Sequence, residues 1–174
     1  VTFEMTMVGI QRNLLGNPVD KATWGTAALP KSCIVETFSS GQPKGFVDRI
    51  VVKHASGLGN SVLKLTCYVK GRESWQADKA DLVWFDEEPP FDVFDEGVTR
   101  LRVGSGPDYG FPELRGHAYM TFTPLSGMSN VVKSFYPAPD TANKTFVQLG
   151  IRDVKHFSAE EVEKILSEYP AHTR

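Results

Sequence analysis

The stretch Asp81-Leu82-Val83-Trp84-Phe85-Asp86-Glu87-Glu88-Pro89-Pro90 constrains this chain more than any other. Four apolar residues run straight into Asp86 and Glu87, and two prolines follow. A short continuous apolar run suits a central strand of a parallel sheet, covered on both faces. The prolines end the strand, and a helix is predicted over 91–101. Such a strand places Asp86 and Glu87 at its carboxyl end, where open α/β sheets bind ligands. Successive strand residues point to opposite sides, so the two acids have different tasks. The same pattern also fits a strand that ends at a solvated acidic turn.

Around this stretch the periodicities suggest alternating elements. Residues 6–15 read as a short helix with Met7, Ile10, Leu14 and Leu15 on one stripe, stopped by Gly16. Residues 33–38 fit a short strand or a helical turn. The β-branched run Ile50-Val51-Val52 predicts a buried strand over 48–54, and period-two alternation predicts another over 62–69, paired as a hairpin through Gly57 and Gly59. Residues 117–122 read as a buried strand, 128–135 as a short helix and 144–149 as a strand. Residues 104–110 read as a loop. Ser158-Ala159-Glu160-Glu161 is a capping box, with Val162, Ile165 and Leu166 on the inner face of the helix it opens. Strands alternating with helices predict an α/β fold with a mostly parallel sheet flanked by helices.

Composition narrows the function classes. Lys plus Arg is 19 against 21 for Asp plus Glu, a net charge of −2, which argues against a polybasic nucleic-acid binder. The 41% hydrophobic content is too high for a disordered chain. Two distant cysteines, Cys33 and Cys67, make neither a disulfide framework nor a zinc spacing, so a reduced setting is the expectation. No apolar run is long enough to cross a membrane as a helix.

The chemistry is read from two segments. An Asp at the end of a buried strand can help hold Mg²⁺, a hard cation that prefers oxygen ligands, as it does in P-loop NTPases. A Glu directly after it can polarise an attacking water as a general base. In the second segment, His117-Ala118-Tyr119-Met120-Thr121-Phe122-Thr123-Pro124-Leu125-Ser126-Gly127, a strand ends in alternating hydroxyls. Thr121 and Thr123 are expected on one strand face, where they could sense a phosphate; ordinary strand and turn chemistry explains them too. Arg100 is a candidate nucleotide sensor, since guanidinium matches phosphate oxygens. Its alternative is an ion pair with Glu96, four residues earlier. Asp92, Asp95 and Glu96 extend the acidic cluster, as a second metal site or as a solvated first helical turn.

Taken in order, Tyr68, Gly71-Arg72-Glu73-Ser74-Trp75-Gln76, Asp81 to Pro90, Glu96 to Arg100 and Thr121 to Gly127 resemble the large terminase subunit of tailed bacteriophages. Leu14-Leu15-Gly16, Ala28-Leu29-Pro30 and the stretch from Asp153 to His172 extend the likeness over nearly the whole chain. The resemblance implies an incomplete P-loop NTPase-like, RecA-like core with an additional strand. It implies a motor that packages double-stranded DNA into the procapsid, with ATP and Mg²⁺ as cofactors. Asp86 becomes the metal-holding Walker B residue, Glu87 the catalytic base, and Thr121 and Thr123 the coupling motif. The implied partners are double-stranded DNA, the portal protein, a small terminase subunit and further copies in a ring, in the host cytoplasm and away from membranes.

Three features depart from the family pattern. None of the 15 glycines is followed by Lys, so no Gly-x-x-x-x-Gly-Lys-Ser/Thr loop can be written within residues 1–174. The family's nuclease domain is not matched either, and Ala77 stands where a Gly usually follows the Gln. The chain is therefore expected to be a partial ATPase domain: Val1 to Met5 read as a strand tail, the phosphate loop belongs upstream and the nuclease downstream. Such a fragment should hydrolyse little ATP alone. The alternatives are a metal-dependent nuclease built on the same carboxylates and an inactive prophage remnant.

Overall fold

The computed structural model describes residues 2–39, 41, 43–76, 79–101, 116–125, 127–135 and 143–168. It divides into two units, residues 1–131 and 132–174. No helix among the described residues is long and apolar enough to cross a membrane. The sequence expectations for 104–110 and for 169–172 fall outside the described residues.

The first unit opens with helix, not with the strand tail expected for residues 1–5. Helices α1 (Phe3–Thr6) and α2 (Arg12–Leu15) flank a π-helical turn, Met7–Gln11. Thr2 starts this run because its hydroxyl accepts from the Met5 N–H. Gly16 ends it at φ +121°, where a Cβ would lie 2.6 Å from the Thr23 carbonyl oxygen.

Three antiparallel strands follow: β1 (Ile34–Phe38), β2 (Arg49–Lys53) and β3 (Asn60–Lys64), in spatial order β1-β2-β3. The expected hairpin is present, with Val51 opposite Val62. Ile50 and Val52 point inward and pack with Leu15, Phe46, Val47 and Leu65. Gln11 is fully buried beside them. Its Nε2 donates to the Gly45 carbonyl at 2.7 Å and its Oε1 accepts from the Val47 N–H at 2.9 Å. A side chain without the amide would leave both backbone groups unpaired, at about 1–3 kcal/mol each.

The sheet content corrects one expectation. Among the described residues the one parallel strand pair is β4 (Leu82–Asp86) with β5 (His117–Thr121), beside an isolated parallel bridge between Ala80 and Leu101, so the described fold is mixed α/β and not mostly parallel. Between them runs α3 (Phe91–Thr99), a β-α-β unit in which Leu82 pairs with His117 and Asp86 with Thr121.

Nor is β4 covered on both faces. Val83 and Phe85 are buried against Val93, whereas Leu82 is 56% exposed, Trp84 54% and Tyr119 63%. The apolar run is continuous in sequence but only the α3 side is covered among the described residues. The strand over 117–121 is accordingly mostly exposed, and not buried as its composition suggested. On the covered side Trp75 stacks on Phe85 with ring centroids 5.5 Å apart. Gly97 lets α3 lie directly against that ring: a Cβ there would sit 2.6 Å from Phe85 Cζ.

The short helix expected over 128–135 is α4 (Asn130–Lys133). In the second unit, residues 144–149 form no strand and are exposed, correcting that expectation. A 3-10 turn, Ile151–Asp153, precedes α5 (Ala159–Ser167). The capping box is formed as read: Ser158 Oγ accepts from the Glu161 N–H at 3.2 Å, and Glu161 Oε2 accepts from the Ser158 N–H at 2.8 Å. Val162 is buried, and Ile165 and Leu166 are half-buried.

Candidate functional site

The β-α-β unit brings Asp86 and Thr121 side by side at the carboxyl ends of β4 and β5. Thr121 Oγ1 donates to Asp86 Oδ1 at 3.3 Å and itself accepts from Trp84 Nε1 at 2.9 Å. Register explains the grouping: Trp84, Asp86 and Thr121 share one sheet face, the one α3 does not cover. The result is a carboxylate and a hydroxyl together at a strand end, with an exposed indole bonded to the hydroxyl. Thr123, expected on the same face, lies past the end of β5; it is exposed, and its carbonyl accepts from the Leu125 N–H at 2.7 Å.

Glu87 follows β4 immediately and turns the chain. Its φ of +64° is the one positive value at a non-glycine residue among the described residues. A β-carbon in the left-handed region costs about 1–3 kcal/mol, so the surroundings must hold it there. They do so by hydrogen bonds. The Glu87 N–H donates to the Thr121 carbonyl at 2.8 Å. The Tyr68 hydroxyl shares its proton between the carbonyls of Asp86, at 2.8 Å, and Glu87, at 3.0 Å. Burial, and then the charges of Asp86 and Glu87, push the Tyr68 phenol well above its ordinary pKa, so it stays a donor through the physiological range.

Arg100 does not reach this cluster with its guanidinium free. Its Nε donates to Glu96 Oε1 at 2.7 Å and its Nη2 bonds the same oxygen. Arg72 Nε takes the other carboxylate oxygen at 2.6 Å. Glu96 is thus a buried carboxylate held between two arginines, tying the 3-10 turn Arg72–Trp75 to α3. Asp92 and Asp95 are exposed. Asp92 stands in the first turn of α3, where it complements the helix dipole.

The hydrogen bonds from Arg72 and then Arg100 hold the Glu96 carboxyl below its ordinary pKa. Because the folded value lies below the unfolded one, the stabilisation is full above about pH 4.3, the usual Glu value. It is lost as pH falls from there through the folded pKa. The melting temperature of the chain should therefore drop on acidification through that window, and Glu96→Gln should flatten the drop. Thermal melts at stepped pH check this.

Of the residues expected at the site, the structure brings Asp86, Glu87 and Thr121 together at the ends of β4 and β5. The sequence does not announce the contacts of Tyr68, Gln11 and Gly97. A lone Gly inside a helical pattern was a usable signal for the last, since such a residue usually has a packing reason.

Comparisons with known proteins place the chain. Residues 9–174 match the family described as terminase large subunit, T4likevirus-type, N-terminal. The chain is 37% identical over 177 aligned residues to the terminase large subunit of Salmonella phage P22, covering 99% of this chain and 33% of that protein. It is 35% identical over 85 residues to the terminase large subunit of Enterobacteria phage LP7, covering 49% of this chain and 16% of that protein. The chain thus spans about a third of the P22 relative's length. No solved structure gives a significant match. With the family match covering nearly all of its residues, the chain belongs to the terminase large subunit family, in its N-terminal region.

Proposed function

We propose that the chain is the Walker-B-bearing part of the ATPase domain of a phage DNA-packaging motor. One observation carries the reading: Asp86 and Thr121 share the carboxyl end of a parallel strand pair, and Glu87 is held beside them in a left-handed turn. In this reading the domain has a P-loop NTPase core whose phosphate loop is encoded before Val1, and a nuclease domain follows. The full-length gene product would form a ring at the portal, work with a small terminase subunit and translocate double-stranded DNA.

The residues present fit a magnesium–nucleotide site. Mg²⁺ commonly takes one or two carboxylates, with waters and substrate phosphates completing its shell. Asp86, with the Thr121 hydroxyl beside it, offers hard oxygen ligands of that kind. Bound there, Mg²⁺ would neutralise charge on the ATP phosphates. Glu87 would orient and deprotonate the attacking water. Thr121 would pass a change at Asp86 to Trp84 and β5 through its two hydrogen bonds, as the coupling residue; Thr123 would extend that role into the following turn. Arg100 would act as a nucleotide sensor only by exchanging its bonds to Glu96 for phosphate.

A metal-dependent nuclease at the same place is less well supported. It would gather several acids on one point, and no group of three or more His, Cys, Asp or Glu residues is placed to hold a metal among the described residues.

The test is the Mg²⁺ dependence of ATP turnover by the full-length gene product. Asp86→Ala should reduce turnover and raise the Mg²⁺ requirement at least about tenfold, the lower end of what losing even an outer-shell metal partner costs. An unchanged Mg²⁺ requirement would remove Asp86 from the role.

A further inference from the structure

Glu87 occupies a conformation its own side chain disfavours, and two elements distant in sequence hold it there. The backbone angles of a residue are set by the two peptide planes that flank it. Both planes around Glu87 are fixed. The plane between Asp86 and Glu87 is gripped from opposite sides: its N–H donates to the Thr121 carbonyl at 2.8 Å and its carbonyl accepts from Tyr68 at 2.8 Å. The plane after Glu87 is held through its carbonyl, which accepts from the same phenol at 3.0 Å. Among the described residues Tyr68 is therefore the one side chain that bonds both planes. It comes from the 3-10 turn Tyr68–Lys70, outside the β-α-β unit.

We propose that Tyr68 is a positioning residue: its hydroxyl locks the left-handed turn at Glu87 and so fixes the direction in which the Glu87 carboxylate leaves the end of β4. The part of this that concerns catalysis rests on the ATPase reading above. The phenol touches backbone carbonyls and needs no contact with nucleotide, metal or water. Its ring packs in the cluster of Val83, Phe85 and Val93, so that removing the hydroxyl alone separates positioning from packing. With the hydroxyl gone, the Glu87 turn can relax toward the extended region its β-carbon prefers. The carboxylate would then spend much of its time away from the attacking water, which lowers kcat and leaves nucleotide binding nearly untouched.

The experiment compares Tyr68→Phe with the wild-type full-length gene product by two readouts. ATP turnover should fall about tenfold or more in kcat, with KM within about twofold, the pattern of an interaction made at the chemical step. Hydrogen exchange at the Glu87 amide should speed up about tenfold or more, while exchange at Val83 and Phe85 stays as in wild type. Tyr68→Ala, which also removes the ring, should add a loss of thermal stability that Tyr68→Phe lacks. Unchanged exchange at Glu87 in Tyr68→Phe overturns the proposal. So does an unchanged kcat in an enzyme whose turnover depends on Glu87. Should the wild-type protein show no Glu87-dependent ATP turnover, the ATPase reading fails, and the exchange at Glu87 still decides whether Tyr68 holds the turn.

Discussion

On the proposed ATPase reading, Glu87→Gln in the full-length gene product is expected to lower ATP turnover by about 10²–10⁴-fold, the usual worth of a positioned general base, and to leave ATP binding within about twofold. Gln has nearly the shape of Glu and keeps a hydrogen-bonding end, so the turn and its bonds to Thr121 and Tyr68 persist. What it loses is the ability to take a proton. A second substitution separates geometry from chemistry. Gly tolerates φ +64° freely, so Glu87→Gly removes a strain of about 1–3 kcal/mol, set against Gly's larger entropy loss on folding. Glu87→Gly should hydrolyse no better than Glu87→Gln and melt no lower than wild type. A residue kept in a costly conformation for its function gives that divergence between stability and activity.

Gly97→Ala destabilises the chain by about 1–3 kcal/mol, the range for an overfilled core. The usual effect of this change in a helix is the reverse, since Ala is about 1 kcal/mol better than Gly there. Packing decides the sign. The added Cβ would stand 2.6 Å from Phe85 Cζ and 3.4 Å from Trp75 Cε3. Phe85 is fully buried and cannot swing aside, because Trp75 stacks on one side and Phe94 lies 5.7 Å away between ring centroids. Phe85→Leu alone should also cost stability, by loss of contacts. Combined with Gly97→Ala it should cost less than the sum, because the smaller side chain vacates the space the methyl needs. Urea denaturation of the four proteins measures the coupling. Strict additivity would mean that α3 does not rest on Phe85 through Gly97.

The sequence-legible part of the site was the part carried by contiguous residues. Leu82 to Glu87 specified a strand with acids at its end, Pro89-Pro90 set the start of α3, and Ser158 with Glu161 specified the start of α5. Thr121 was legible as a hydroxyl at a strand end, though only pairing register could put it opposite Asp86. What sequence could not supply was coverage. A run such as Leu82-Val83-Trp84-Phe85 reads the same whether one face or both are packed, and here the burial alternates. For the same reason the composition of 117–122 suggests a buried strand where the strand is mostly exposed. Side-chain bonds that cross the fold were equally silent. Tyr68 to Asp86 and Glu87, Gln11 to Gly45 and Val47, and Arg72 to Glu96 join residues 18 to 36 positions apart, with no periodicity to announce them. For Arg100 the sequence offered two partners, phosphate or Glu96, and the fold pairs it with Glu96.

The central claim is that the Asp86-Glu87 end of β4 performs ATP hydrolysis. Release of inorganic phosphate from ATP by the full-length gene product with Mg²⁺, wild type beside Glu87→Gln, tests it most directly. The account predicts steady phosphate release by wild type and near-complete loss in the variant, with ATP still bound. Equal release by the two proteins, or Mg²⁺-dependent DNA cleavage that needs no nucleotide and disappears with Glu87, would contradict it.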